Sequence, residues 1–440
     1  MPTERLPPIF AAVVRPVLSF FKLEAASGIL LLAAAVLALG LANSPAAAGY
    51  HALFDSPLTL GWSGHLVEFT LRALIDDGLM AIFFLLVGME IKYELVAGEL
   101  TSLGRAALPA IAALGGMAVP ALIYAAFNHA GPGEPGWAIP MATDIAFAIG
   151  ALTLLRGRVP TSLVVFITAL AIFDDMAGIA VIAVFYGHGV HLGYLAAALG
   201  GTAALGLLGF MGVRSLAVFL AAGPALWVLV AHAGVHPTIA GVLLGAVIPA
   251  RSERDPREVL TALHDHTGAL CARAAERDVD DHEIGELADT LEELQAPASR
   301  LIRALHPWVA FGIMPVFALA NSGVSVTGLG LGALVEPVLL GAALGLVVGK
   351  PLGVFGFTFG AKLLGISELP ETSTVPQLVG VSVLAGIGFT VALFIANLAF
   401  ADAPKLLAEA KLGIVLGSTI AGVTGFVFLR AAAPVRGRQA

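Results

Sequence analysis

The sequence is poor in charge. Lys and Arg number 23 and Asp and Glu 31, together 12% of 440 residues. A soluble domain carries about 25%, so this chain cannot clothe the two to four soluble domains that its length would otherwise suggest. A soluble enzyme, a nucleic-acid binder and a disordered chain are excluded. The single cysteine, Cys271, excludes an internal disulfide framework and a Cys-based metal site. No GxxxxGK[ST] phosphate loop occurs, so nucleotide bound by this chain is not its energy source. No period-two alternation recurs over ten-residue segments, which argues against a β-barrel. Apolar residues are what abounds: 58% of the chain, with mean hydropathy +0.93. The chain reads as a single all-α polytopic membrane domain over residues 1–440. The net charge of −8 is uneven, because residues 251–305 hold 13 acidic and 7 basic side chains. The membrane body is nearly neutral, and overall charge says little about a partner.

A helix crossing the hydrocarbon needs about 20 apolar residues. Twelve stretches qualify, near 20–42, 67–92, 106–127, 137–155, 161–186, 193–212, 215–231, 235–249, 306–322, 338–362, 376–400 and 409–430. Basic residues orient them. Arg5, Arg15, Lys22, Lys92, Arg105, Arg156, Arg158, Arg214, the seven Arg of 251–305, and Arg430, Arg436 and Arg438 all fall on one side. The alternate loops 43–66, 128–136, 187–192, 232–234 and 323–337 contain no Lys or Arg. Both termini are therefore expected in the cytoplasm. The first span is expected to be retained, because its apolar run is as long as a full span, although Ala46-Ala47-Ala48 resembles a cleavage site. Residues 9–22 suit an amphipathic surface helix. The outer loop 50–66 suits either a small hairpin or an irregular loop. The insert 251–305, between helices 8 and 9, is expected in the cytoplasm with a short helix. Its His264 and His266 read as a solvated pair rather than a metal site.

Ionisable groups at membrane depth are costly, roughly 2.5–3.5 kcal/mol each on insertion scales, and are functional candidates. Asp174 and Asp175 sit in the fifth stretch. Neighbours on a helix point about 100° apart, so one can face a cavity while the other faces a neighbouring helix. Lys350 stands mid-way along the tenth stretch, about 18 Å from either end at 1.5 Å per residue. It cannot snorkel, and needs a buried anion or a neutral form; Asp174 or Asp175 is the natural partner. In the fourth stretch, Pro140 disfavours helix continuation, and Thr143-Asp144 looks like the N-cap of a second half-helix. In the eleventh, Gly386 and Gly388 each weaken a helix by about 1 kcal/mol relative to Ala, which suits an unwound segment. The blocks of helices 3–5 and 10–12 run antiparallel to each other. Paired interrupted helices (4 and 11) in inverted three-helix repeats point to a midplane transport site. Glu90 and Glu94, i and i+4, share a face at the cytoplasmic end of helix 2 and suit either a cation-attracting funnel or a solvated helix end. Asp76 and Asp77 lie deeper, without an assigned role.

Burial disfavours a carboxylate's charged form, so a proton and a small cation compete for the same oxygens. Carboxylate, hydroxyl and carbonyl oxygens are hard ligands, suited to alkali ions. Alternating exposure of such a site gives exchange. Two protons against one monovalent cation would move one net charge, worth about 2.3 kcal/mol per 100 mV.

The segments GMEIKYEL (88–95), GWAIPMATDIAFAIG (136–150), LAIFDDMAGI (170–179), AGVHPTIAGV (233–242), HPWVAF (306–311), GKPLG (349–353) and GIGFTVALFIANLAF (386–400) resemble the NhaA family of sodium/proton antiporters, across essentially all twelve helices. The resemblance implies that Asp175 is the main Na⁺-binding carboxylate. Asp174 would pair with Lys350, exchange protons and complete the metal site. Thr143 and Asp144 would stand at the crossing of the broken helices, and Glu90 at the funnel entrance. It further implies exchange of cytosolic sodium or lithium for external protons in a bacterial inner membrane. A homodimer, joined partly through 50–66, and a role in pH and salt homeostasis follow. No cofactor, nucleotide or nucleic acid is expected. Tyr93 stands where the family pattern has Arg, and Ile302 where an acid is expected; both positions bear on pH response. A cation channel and a membrane sensor using the insert as output are the alternatives. A Schiff base on Lys350 is possible in principle, but twelve helices argue against a seven-helix retinal protein.

Overall fold

The computed structural model describes residues 26–62, 65–155, 158–187, 189–251, 295–325 and 335–432, with 261, 267–268 and 332 besides. The readings placed on 9–22, His264, His266 and residues 252–294 of the insert, apart from 261 and 267–268, fall outside these residues.

The described chain is mostly helical. In order come α1 (Ala26–Ala42), α2 (Ala47–Asp55), the strands β1 (Pro57–Trp62) and β2 (His65–Thr70), α3 (71–96), α4 (Leu103–Asn128), a 3₁₀ segment (Glu134–Met141), α5 (Ile145–Leu154) and α6 (Thr161–Phe185). There follow α7 (Leu192–Phe210), α8 (Leu216–His232), α9 (Ile239–Val247), α10 (Pro297–Asn321), α11 (Pro337–Leu363), α12 (Val375–Leu384), α13 (Phe389–Ala399) and α14 (Pro404–Ala432). Among the described residues, seven helices are long and apolar enough to cross a membrane. The count rises to nine if the bent pairs α1–α2 (114°) and α12–α13 (42°) each count as one span. Their surfaces carry large apolar side chains, such as Val184, Leu122 and Phe210, exposed as on a lipid-facing wall.

Two boundaries differ from the sequence reading. The hairpin occupies 57–70, paired antiparallel from Pro57 opposite Thr70 to Trp62 opposite His65, while 47–55 is helical. The second apolar stretch accordingly begins as strand, not helix, at 67–70. Thr70 ends it: its hydroxyl accepts from the backbone N–H of Ala73 (3.1 Å), capping α3.

The chain divides into two compact units. The first holds residues up to 79, 103–186 and 310 onward; the second holds 80–102 and 187–309. In the second unit, glycine lets the later part of α3 and α9 touch at backbone distance. A Cβ on Gly241 would lie 2.1 Å from the Ala81 carbonyl, and one on Gly245 2.7 Å from that of Leu85. Small residues substitute here for the hydrophobic drive that lipid removes. Lys92 donates to the Ile248 carbonyl (2.6 Å), at the C-terminal end of α9, where a cation is favourable. Glu90 and Glu94 belong to this second unit, one turn apart in α3 and within electrostatic reach of each other.

In the first unit the same device joins α4 to α11. A Cβ on Gly353 would meet the Gly115 carbonyl at 2.0 Å. Gly413 and Gly417 bring α14 against Leu339 and Ala343 of α11, and Gly380 and Gly425 join α12 to α14. Wide π turns interrupt three helices, at Leu74–Leu79, Val309–Ile313 and Gly345–Gly349. Such turns cluster at functional sites, and the last delivers Lys350.

Candidate functional site: crossed helix breaks and a buried ion pair

Two helices of the first unit are broken, and the breaks meet. The 3₁₀ segment containing Pro140 ends at Met141, residues 142–144 are extended, and α5 begins at Ile145. Asp144 caps α5, its Oδ1 accepting from the backbone N–H of Phe147 (3.2 Å). In the other break, α12 stops at Leu384 and α13 starts at Phe389. The backbone N–H of Asp144 donates to the Ile387 carbonyl (2.6 Å), so freed groups of one break satisfy those of the other, as a lipid setting demands.

Gly386 and Gly388 serve this junction through size more than through helix weakening. A Cβ on Gly386 would come within 2.4 Å of the Leu346 carbonyl, and one on Gly388 within 2.9 Å of the Ala142 carbonyl. Ser418 of α14 accepts from the backbone N–H groups of Gly388 (3.3 Å) and Phe389 (3.2 Å), capping α13 from outside its own chain segment.

Charge is distributed by the helix ends. Asp144 Oδ2 accepts from the backbone N–H (3.1 Å) and hydroxyl (2.6 Å) of Thr390. One carboxylate thus faces the positive N-terminal ends of both α5 and α13. Lys350 Nζ donates to the Met141 carbonyl, at the negative C-terminal end of the 3₁₀ segment, and to Asp174 Oδ2 at 2.7 Å. Both side chains of this ion pair are fully buried.

Thr143 Oγ1 lies 2.7 Å from Asp174 Oδ2 and 3.0 Å from the Ala385 carbonyl. Its single hydroxyl proton can be given to either. Asp174 Oδ1 is buried and has no hydrogen-bond partner among the described residues. Asp175, 7% exposed, lies within electrostatic reach of Lys350. The structure therefore gathers Thr143, Asp144, Asp174, Asp175 and Lys350 with both breaks. Glu90 and Glu94 lie in the second unit.

Three contributors escaped the sequence reading: Thr390, Ser418 and the carbonyl of Met141. The first two are short hydroxyl side chains in apolar helices, and their only signal was a polar group at membrane depth.

Known proteins give this arrangement a context. The family model described as Na+/H+ antiporter 1 matches residues 18–429. A Na(+)/H(+) antiporter NhaA of Anaeromyxobacter sp. (strain Fw109-5) is 53% identical over 98% of this chain and 94% of its own length. Na(+)/H(+) antiporter NhaA 1 of Myxococcus xanthus is 51% identical over 98% and 96%, and NhaA of Serratia proteamaculans 44% over 94% and 97%. These relatives are named as transporters, not enzymes. The chain belongs to the NhaA family of sodium/proton antiporters.

Proposed function

We propose that this protein is an electrogenic exchanger that exports Na⁺ or Li⁺ against external protons by competition at Asp174 and Asp175. The observation that carries the proposal is the divided state of Asp174. One of its oxygens is held by Lys350 and Thr143, while the other is buried with no partner. A buried carboxylate oxygen left unsatisfied is costly, and either a proton or an alkali ion relieves that cost. Asp144, at the same breaks, differs from Asp174 in this respect. Both oxygens of Asp144 are engaged by donors, so Asp144 neutralises helix ends and holds the crossing, and Asp174 and Asp175 take the cation.

An arriving Na⁺ finds hard oxygens on Asp175, Asp174 and Thr143. To use Asp174 Oδ2 it must displace the Lys350 ammonium, and Thr143 must turn its proton to the Ala385 carbonyl. Each adjustment has a partner already in place. Na⁺ and the bound protons thus exclude each other, which is the requirement for exchange. Two protons for one Na⁺ would let the membrane potential drive export, at about 2.3 kcal/mol per 100 mV.

In this reading the chain has twelve spans with inverted blocks 3–5 and 10–12, both termini in the cytoplasm of a bacterial inner membrane, and a homodimer as working form. Glu90 and Glu94 line the cytoplasmic approach, and the activity serves pH and sodium homeostasis. In inside-out vesicles, Asp175→Asn is expected to abolish sodium-induced proton movement. Undiminished exchange by that variant refutes the assignment.

A further inference from the structure

A second, half-buried polar cluster lies in the first unit, around Asp76 of the π turn in α3. Asn321 Nδ2 donates to Asp76 Oδ1 at 2.6 Å. Asn397 Nδ2 donates to Asp76 Oδ2 at 3.3 Å and to Asn321 Oδ1 at 2.8 Å. The charged groups facing the carboxylate are Arg72 and Asp77 on its own element, Asp55 of α2 and Lys411 of α14. Arg72 donates to Asp55 (2.6 Å), to the Ala320 carbonyl at the end of α10 and, at 3.4 Å, to Asn321 Oδ1 of the cluster. Lys411 is buried, 7% exposed, and makes no contact ion pair with Asp76 among the described residues.

Two elements tie this cluster to the crossed breaks. Asn397 stands seven residues beyond Thr390 on α13, and Lys411 seven residues before Ser418 on α14. Seven residues are two turns, about 10.5 Å at 1.5 Å per residue, with only ~20° of drift around the helix. The faces that hold Asp144 and cap α13 are thus the faces that carry Asn397 and Lys411. Ser322, beside Asn321, is buried, and its hydroxyl has no partner among the described residues. The side chains hydrogen-bonded to Asp76 are both amide donors, not metal-ligating acceptors, so the site does not suit a coordinated metal. It suits a carboxylate that changes protonation. Its Oδ2 gives up the long Asn397 hydrogen bond when an O–H bond forms there, and takes it back when the proton leaves.

We propose that Asp76 is the outward-side proton relay of the exchanger, receiving external protons and passing them two helical turns inward to the crossed breaks. This rests on the exchange reading and on the orientation read from the basic residues, which puts Pro404 and the start of α14 outside.

Proteoliposomes with controlled solutions on both faces test it. Asp76→Asn is expected to raise the external proton concentration for half-maximal exchange at least fivefold. The sodium half-saturation measured from the cytoplasmic face should change less than twofold. Asp76→Glu restores the external value. Lys411→Gln shifts it the opposite way, because removing a nearby positive charge strengthens the carboxylate's hold on a proton. Equal shifts on both faces, or no shift on either, overturn the relay. Wild-type protein without sodium-dependent proton movement would sink the exchange reading instead. Normal wild-type exchange with a silent Asp76→Asn sinks the relay alone.

Discussion

Lys350→Met tests the buried ion pair most directly. The substitution keeps the stem and removes the ammonium, so Asp174 Oδ2 loses its 2.7 Å partner and the Met141 carbonyl loses its donor. Both partner side chains are fully buried, and breaking such a pair from one side costs about 3–5 kcal/mol, because the remaining charge has no compensation. Thr143 can return a fraction by committing its hydroxyl to Asp174, worth about 1.5–3 kcal/mol as a hydrogen bond to a charged group. The expected net loss for Lys350→Met is therefore on the order of 2 kcal/mol. Asp174→Asn leaves the ammonium buried with a neutral partner and should cost a similar amount. The double variant removes both charges and should recover most of the loss, a coupling of about 0.5–3 kcal/mol. Thermal unfolding of the four proteins in one detergent at one pH supplies the cycle. Sodium adds a second axis: a bound ion at ten times its Kd stabilises by about 1.4 kcal/mol, a gain that both Asp174→Asn and the double variant should lose. Strictly additive losses, or undiminished sodium stabilisation of the double variant, would refute the reasoning.

Other substitutions probe the frame. Ser418→Ala leaves the buried N–H groups of Gly388 and Phe389 without their acceptor and should cost about 1–3 kcal/mol, with Ser418→Thr milder in the same unfolding assay. Gly353→Ala would put a Cβ 2.0 Å from the Gly115 carbonyl. Overpacking of this kind costs typically 1–3 kcal/mol, so a lowered Tm is expected, whereas Gly356→Ala, which meets nothing within 4 Å, should stabilise by up to about 1 kcal/mol. Asp55, on the short helix α2 outside the spans, has its pKa lowered: partial burial works to raise it, but the hydrogen bond and charge of Arg72 outweigh burial. Its contribution is present above the ordinary aspartate value of about 3.9 and fades as pH falls through the lower folded value. The stability gap between wild type and Asp55→Asn should close on acidification below pH ~4; a gap that persists at pH ~2 would contradict the clasp.

Much of the site was legible because lipid makes charge rare. Asp174, Asp175 and Lys350 stand out in apolar runs where charge is costly, and Pro140 followed by Thr143-Asp144 marks a break with its own cap. The glycines do fall in the unwound segment, between Leu384 and Phe389, but their second role was not legible. Gly386 and Gly388 count chiefly for the missing Cβ, since the carbonyls of Leu346 and Ala142 arrive from other segments, and one stretch of sequence cannot announce that approach. The hairpin was misplaced because HLVEFT is apolar enough to extend the following helix, and only pairing with Pro57–Trp62 makes it a strand. Arg72 and Lys411 escaped for another reason: both stand near the ends of their helices, where a long basic side chain normally reaches water, so position alone did not single them out.

The arrangement also explains how the chain holds one pair of breaks without an unstable core. Each interrupted helix exposes two kinds of end, and like ends would repel if brought together alone. Asp144 faces the N-terminal ends of α5 and α13, and Lys350 meets a C-terminal carbonyl at Met141. In the proposed exchange the fixed charges cancel the helix ends, and Asp174 and Asp175 balance Lys350 and the bound cation. With Lys350 protonated, the two ionised aspartates leave a net charge of one minus, which a single monovalent ion or a single proton neutralises. Losing the Lys350 proton opens room for a second positive charge. Any variant that removes Asp144 should therefore disturb the crossing itself and weaken sodium and proton binding together. Conservative changes at Asp175 should instead shift the balance between the two ions at an intact crossing. Binding heats measured for Na⁺ and for protons on Asp144→Ala and Asp175→Glu separate these outcomes, and selective loss of sodium alone in Asp144→Ala would contradict this division of labour.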